Sequence, residues 1–257
     1  MISMRYRRRI RFDPRPAAFA AAMFLPAIAL GVPTGSGGPP SPAAVADAFE
    51  LPAGYPDPAR FEAEIDAFTA ADREQPPPEG ALLCIGSSSM RFWHATLARD
   101  LAPRTVIPRG FGGSTMADVL HFAPRVVLPY RPAAILLYEG DNDIDFGVAP
   151  EDFLAVFARF VALVETELPR TRILVMSIKP SPARWAEWPA MRAANALLAA
   201  ACADDPRLWY VDVATPMLDR DGQVRRELFL PDLLHLNESG YAVWREVVRA
   251  ALTRAGS

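Results

Sequence analysis

Leu82-Leu83-Cys84-Ile85-Gly86-Ser87-Ser88-Ser89 is an apolar run ended by a glycine and three hydroxyls. Residues 82–85 are too few for a helix of their own, and an apolar segment bounded by a turn signal reads as a buried strand. The amphipathic stretch 90–101 behind it reads as a helix. The serines therefore sit where a strand turns into a helix, at free N–H groups and the positive end of a helix dipole, which favour developing negative charge.

The same alternation continues outward from this turn. Short β-branched or aliphatic runs at 105–107, 134–138, 172–177 and 208–213 bring the candidate strands to five, all apolar enough to be buried on both faces. Amphipathic stretches at 59–71, 151–168, 189–203 and 239–254 supply further helices, and Gln75-Pro76-Pro77-Pro78 separates the first of them from the sheet. No internal repeat stands out. Strands alternating with helices predict an α/β protein, a three-layer α/β/α sandwich around a five-stranded, parallel, flavodoxin-like sheet. In such sheets ligands bind at the carboxyl ends of the strands, and Ser88, Gly113 and Asn142 each follow an expected strand.

Near the far end of the chain stands Asp232-Leu233-Leu234-His235. A carboxylate three residues before an imidazole can fold back to orient it within a single turn. Serine hydroxyls are weak nucleophiles at neutral pH, and what they need is a nearby base held in one tautomer. The pair reads as Asp-His waiting for Ser, with three adjacent hydroxyls competing for that place. A nucleophile elbow of the α/β-hydrolase kind is disfavoured, because Gly86-Ser87-Ser88-Ser89-Met90 lacks the second glycine and the acid lies close to the histidine.

Four segments together carry a family resemblance. Leu83-Cys84-Ile85-Gly86-Ser87-Ser88-Ser89 resembles the first block of the SGNH, or GDSL-type, hydrolases, and Pro108-Arg109-Gly110-Phe111-Gly112-Gly113-Ser114 the second. Tyr138-Glu139-Gly140-Asp141-Asn142-Asp143 is similar to the third, and Asp232-Leu233-Leu234-His235-Leu236-Asn237 to the last, in the expected order. The resemblance implies that Ser88 is the nucleophile of an esterase and that its N–H, the Gly113 N–H and the Asn142 amide form an oxyanion hole. His235 is then the base, oriented by Asp232. It implies a carboxylic ester hydrolase working through an acyl-enzyme, with a small-molecule or polymer-borne ester as its partner and no cofactor or metal. An acyltransferase using the same intermediate, or an inactive binding domain of the same fold, are the alternatives. Three departures stand out: Gly86-Ser87-Ser88-Ser89 in place of Gly-Asp-Ser-Leu, Pro108 where many members have Asn, and Asp141 where glycine is frequent. The stretch Ile178-Lys179-Pro180-Ser181-Pro182-Ala183-Arg184-Trp185 also resembles an esterase subgroup of the family.

Composition fits one soluble enzyme domain, expected over residues 47–257, with 51% hydrophobic residues to fill a core. Without the six arginines and one aspartate of residues 1–46, 21 basic side chains face 29 acidic ones, which argues against nucleic acid. Two cysteines far apart and three histidines offer no zinc cluster and no disulfide framework, and Cys84 reads as a small buried hydrophobe. Residues 1–46 differ in kind. Arg5, Arg7, Arg8, Arg9 and Arg11 precede an apolar run at 17–32, then a Pro, Gly and Ser-rich stretch. The run is shorter than the roughly 20 residues of a membrane span, so it reads as a signal peptide for the periplasm or beyond. Ala44-Val45-Ala46 has cleavage-site side chains but lies far past the run, which leaves an uncleaved anchor open as the one membrane contact; a basic leader on a cytoplasmic enzyme is the alternative.

Other features read as structural. Asp141-Asn142-Asp143-Ile144-Asp145 begins like a calcium loop, but Phe146 stands where glycine is needed and Asp152 where glutamate is. His94 has no acid at the spacing of Asp232, and both it and His121 read as structural or surface residues. Phe92 and Trp93 read as core. Trp185 and Trp188 could line an acyl or sugar pocket, or simply pack.

Overall fold

In the computed structural model residues 51–256 are described. The leader of residues 1–46, with the export or anchoring expected of it, lies outside the described residues. A short 3-10 turn, Pro58–Phe61, leads into helix α1, Glu62–Glu74. Strand β1, Leu82–Gly86, runs into α2, Ser88–Asp100; β2, Val106–Gly110, is followed by α3, Met116–Val126. Strand β3, Ala134–Tyr138, precedes the short α4, Asp141–Asp145, and the long α5, Pro150–Glu167. After β4, Arg172–Met176, come α6, Trp188–Asp204, β5, Leu208–Val211, and α7, Glu238–Arg254.

All five strands are parallel, in the order β2-β1-β3-β4-β5, which is the flavodoxin-like order. Alternate strand residues fill two cores. Leu83, Ile85, Ile135, Leu137, Ile173 and Val175 pack with Phe122 of α3, Phe153, Phe157 and Phe160 of α5, and Met191 and Leu198 of α6. Leu82, Cys84, Leu136, Leu174 and Met176 pack on the other face with Met90, Trp93 and Leu97 of α2 and with Trp244, Val248 and Leu252 of α7. The three-layer α/β/α sandwich is thus explained by strands that are apolar on both sides. Burial pushes the Cys84 thiol well above its ordinary value, so it is an inert core residue.

Two expectations need correction. Strand β2 extends through Pro108 and Arg109 to Gly110, beyond the apolar run at 105–107. It is an edge strand, where a proline is tolerated, and Arg109 is satisfied by Asp72 of α1, by the Tyr130 hydroxyl at 2.8 Å and by the Pro108 carbonyl. Helix α3 was not expected, and Pro124 lies inside it.

One glycine fixes where the serines emerge. Gly86 has φ +145°, and a Cβ there would lie 2.0 Å from the Tyr138 carbonyl oxygen. Only glycine lets β1 run this close to β3 and turn at once into α2. Ser87 donates its N–H to that same carbonyl at 3.2 Å, and Ser88 becomes the first residue of the helix.

Candidate active site

Three adjacent hydroxyls leave the turn, and their surroundings differ. Ser87 and Ser89 are 1% exposed, whereas Ser88 is partly open. The Ser88 Oγ lies 3.0 Å from His235 Nε2, and His235 Nδ1 lies 2.7 Å from Asp232 Oδ2. Because the carboxylate accepts a hydrogen bond from Nδ1–H, Nε2 is left as an acceptor for the serine hydroxyl. As the first helical residue, Ser88 has no intrahelical acceptor for its own N–H.

The Asp-His pair is built by the connection between β5 and α7. An antiparallel bridge joins Phe229 to Leu236, and Leu230 donates its N–H to the His235 carbonyl at 2.8 Å. Leu233 closes this loop with φ +60°, a left-handed conformation that costs a bulky residue about 1–3 kcal/mol. Asp232 Oδ1 accepts the N–H groups of Leu234 and His235, both at 3.0 Å, so one side chain folds the loop and orients the ring. The hydrogen bond from His235 holds the Asp232 carboxyl down at about 2. Tyr241 of α7 donates its hydroxyl to the Ser89 carbonyl at 2.8 Å and stacks on Trp93, which ties the helix after His235 to the helix that begins at Ser88.

Gly113 and Asn142 meet through the residue between them. Gly113, with φ +87°, lies in the loop from β2 to α3; its N–H has no backbone acceptor among the described residues, and a Cβ there would face open space. The next carbonyl, of Ser114, accepts the Asn142 side-chain N–H at 2.8 Å, while the Ser114 hydroxyl donates to Glu139 at 2.5 Å. Burial pushes the Glu139 carboxyl well above its ordinary range, and Asp143 nearby adds to the rise. Asn142 opens α4 beside Asp141. The Lys179 ammonium pairs with Asp141, and Arg184 bridges Asp141, Asp145 and, at 3.0 Å, the Asn142 side-chain oxygen. Burial alone would raise the Asp141 carboxyl, but Lys179 and Arg184 outweigh it and hold it below the usual value. Of the aspartates in the calcium-like stretch, Asp141 and Asp145 share Arg184, and Asp143 accepts the N–H groups of Met116 and Gly140.

Phe92, expected in the core, is 52% exposed, and its ring lies edge-on to His235 with centroids 4.7 Å apart. Four residues after Ser88 in a helix, it shares the face of that serine, a spacing that could have placed it here. Trp93 is core, as expected. Trp188 is buried and stacks with Trp185 at 6.2 Å, so the pair packs. His94 accepts the Gly110 N–H at 2.9 Å, and His121 packs edge-on to Phe122. Lys179 and Arg184 carry weight here that sequence reasoning assigned to no role. Their signal was the Lys179–Arg184 spacing opposite the unusual Asp141.

Solved structures share this architecture. A candidate platelet activating factor from Streptococcus pneumonia superposes with a TM-score of 0.67 at 20% identity, covering 76% of this chain and 94% of its own. A GDSL-like lipase from Bacteroides thetaiotaomicron gives 0.64 at 17%, over 75% and 98%. A family 3 carbohydrate esterase from Clostridium thermocellum gives 0.54 at 14%, over 68% and 96%. No curated protein matches the sequence. At these identities the likeness speaks for the fold, but the model of the GDSL-like lipase/acylhydrolase family matches residues 79–243, from just before β1 into α7, and the chain belongs to that family.

Proposed function

We propose that this acylhydrolase cleaves carboxylic esters by way of a covalent acyl-enzyme at Ser88. The observation that carries the reading is the unbroken chain from Ser88 Oγ to His235 Nε2, 3.0 Å, and from His235 Nδ1 to Asp232, 2.7 Å. Ser88 Oγ attacks the ester carbonyl carbon while its proton passes to His235 Nε2. The carbonyl oxygen becomes an oxyanion, met by the N–H groups of Ser88 and Gly113 and by the second N–H of the Asn142 amide. Collapse breaks the bond to the alcohol, which leaves with the proton held by His235. Water, deprotonated by the same nitrogen, then attacks the acyl-serine, and collapse releases the carboxylic acid and restores Ser88. Asp232 keeps the ring in the required tautomer and stabilises the imidazolium formed in each half. Oxyanion donors of this kind are worth about 2.7–4 kcal/mol each in the barrier.

Labelling by a fluorophosphonate tests the assignment. The wild type, Ser87→Ala and Ser89→Ala should label and hydrolyse p-nitrophenyl acetate, whereas Ser88→Ala should do neither. Retained labelling of folded Ser88→Ala, with loss in one of its neighbours, would move the nucleophile; labelling of all three variants would sink the mechanism.

A further inference from the structure

An asparagine helps an oxyanion only if its amide faces the right way round. Turned over, Asn142 would present its oxygen where negative charge develops, and the two orientations have nearly the same shape. Two neighbours decide between them. The Ser114 carbonyl at 2.8 Å needs a donor and so takes Nδ2; the Arg184 guanidinium at 3.0 Å needs an acceptor and so takes Oδ1. A flip would set oxygen against oxygen on one side and N–H against N–H on the other.

We infer that Arg184 is a positioning residue of the active site, locking the Asn142 amide with Nδ2 toward the oxyanion and polarising it as a donor. The inference rests on the oxyanion role proposed above for Asn142. Pairing with Asp141 alone does not account for the arginine, because Lys179, 1% exposed, already neutralises that carboxylate. Arg184 instead divides its fork: Nη1 is shared between Asp141 Oδ1 and Asn142 Oδ1, and Nη2 goes to Asp145 at 2.7 Å. A lysine has no planar fork to span these acceptors. The segment that carries Arg184 is itself fixed at both ends of the site. Its N–H is donated to Ser181 Oγ at 3.2 Å, and the N–H of Ala183 to the carbonyl of Leu233, between Asp232 and His235, at 3.1 Å. The unusual Asp141 and the Lys179–Arg184 stretch thus act as one device that joins the Asn142 turn to the loop of the base.

The test is a double-mutant cycle on ester hydrolysis, with Asn142→Ala, Arg184→Gln and both together, each shown to be folded by circular dichroism. Asn142→Ala should lower kcat by about 10²–10³-fold. Arg184→Gln should lower kcat by about tenfold or more and change KM by less than about twofold, since the lock acts on charge present in the transition state. In the Asn142→Ala background the same substitution should cost less than about twofold, because nothing remains to be positioned. Should Arg184→Gln fail to fold, Asp145→Asn, which frees only Nη2, should give a smaller kcat loss that also vanishes without Asn142. An equal loss with and without Asn142, an effect on KM alone, or wild-type kcat in Arg184→Gln would overturn the lock while leaving the esterase reading intact. Unchanged kcat in Asn142→Ala would overturn the oxyanion role of Asn142, and the lock with it.

Discussion

The Gly110 N–H reaches His94 Nε2 at 2.9 Å, a bond that exists only while that nitrogen carries no proton. Burial, with the charges of Arg91 and Arg109 added, lowers the His94 pKa to about 4, against about 6.5 for a free imidazole. Between those values the unfolded chain binds the proton more tightly than the folded one, so stability must rise with pH across this window. The contribution is complete above about 6.5 and is lost as pH falls through about 4. Glutamine can accept the same N–H without titrating. The expected result is that wild type loses more melting temperature than His94→Gln between pH 6.5 and 4.5, by about 2–4 °C for each kcal/mol of difference in a domain of this size. Parallel melting curves across that interval would show that the imidazole is not the titrating group. The sequence marked His94 as structural by the absence of an acidic partner, which was enough. It did not distinguish Phe92 from Trp93, because adjacent aromatics on a helix point to different faces and only the position of His235, set by a distant loop, shows what Phe92 touches.

The inner strands were legible because burial on both faces demands an uninterrupted apolar run, visible without knowing the neighbours, whereas the edge strand β2 showed only its first residues because Pro108 and Arg109 interrupt its run. Helix α3 was not legible, since its periodic apolar residues Met116, Val119, Phe122, Ala123 and Val126 are broken by Pro124, which reads as a helix stop. The missed signal was the cap. Thr115 accepts the Asp118 N–H, and Asp118 accepts the Thr115 N–H in return at 2.8 Å, a reciprocal box that fixes the start of the helix directly after the Gly113–Ser114 turn. Asp118 is wholly buried, and burial raises its carboxyl despite the Thr115 and Arg60 bonds, so losing a partner there is felt. Thr115→Ala should therefore cost about 1 kcal/mol or somewhat more, read as a melting point lower by about 2–4 °C or beyond. A melting point equal to wild type would mean that the box is not what holds this helix. The long turn that presents Asp232 was illegible for a different reason: its geometry depends on Leu233 in a left-handed conformation, which no propensity favours for leucine.

The match to the family begins at residue 79, yet the fold begins some twenty residues earlier. Phe61 and Ile65 are buried in the core shared by α3, α5 and α6, and Phe61 meets Phe111 edge-on at 5.0 Å. More telling are the charges. Asp118 and Arg109 are buried in the family-matched region, and their ionic partners, Arg60 and Asp72, both lie before residue 79. Removing one partner from a fully buried ion pair costs about 3–5 kcal/mol; Arg60 and Asp72 are partly exposed, which lowers the cost of each loss, but two pairs would be broken at once. A domain of ordinary stability holds only about 5–15 kcal/mol in total. A chain starting at residue 79 should accordingly fail to fold or melt far below the full-length protein, and should lose fluorophosphonate labelling, although every residue proposed for the chemistry is still present. The paired substitution Arg60→Met with Asp118→Asn, which removes both charges of one pair and keeps an oxygen to accept the Thr115 N–H, should be tolerated better than Arg60→Met alone, because no buried charge is left unpaired. Circular dichroism melts of the three proteins beside wild type decide it. A truncated chain that melts within a few degrees of full length and still labels would show that the sheet and its four family blocks are self-sufficient, and that α1 merely covers them.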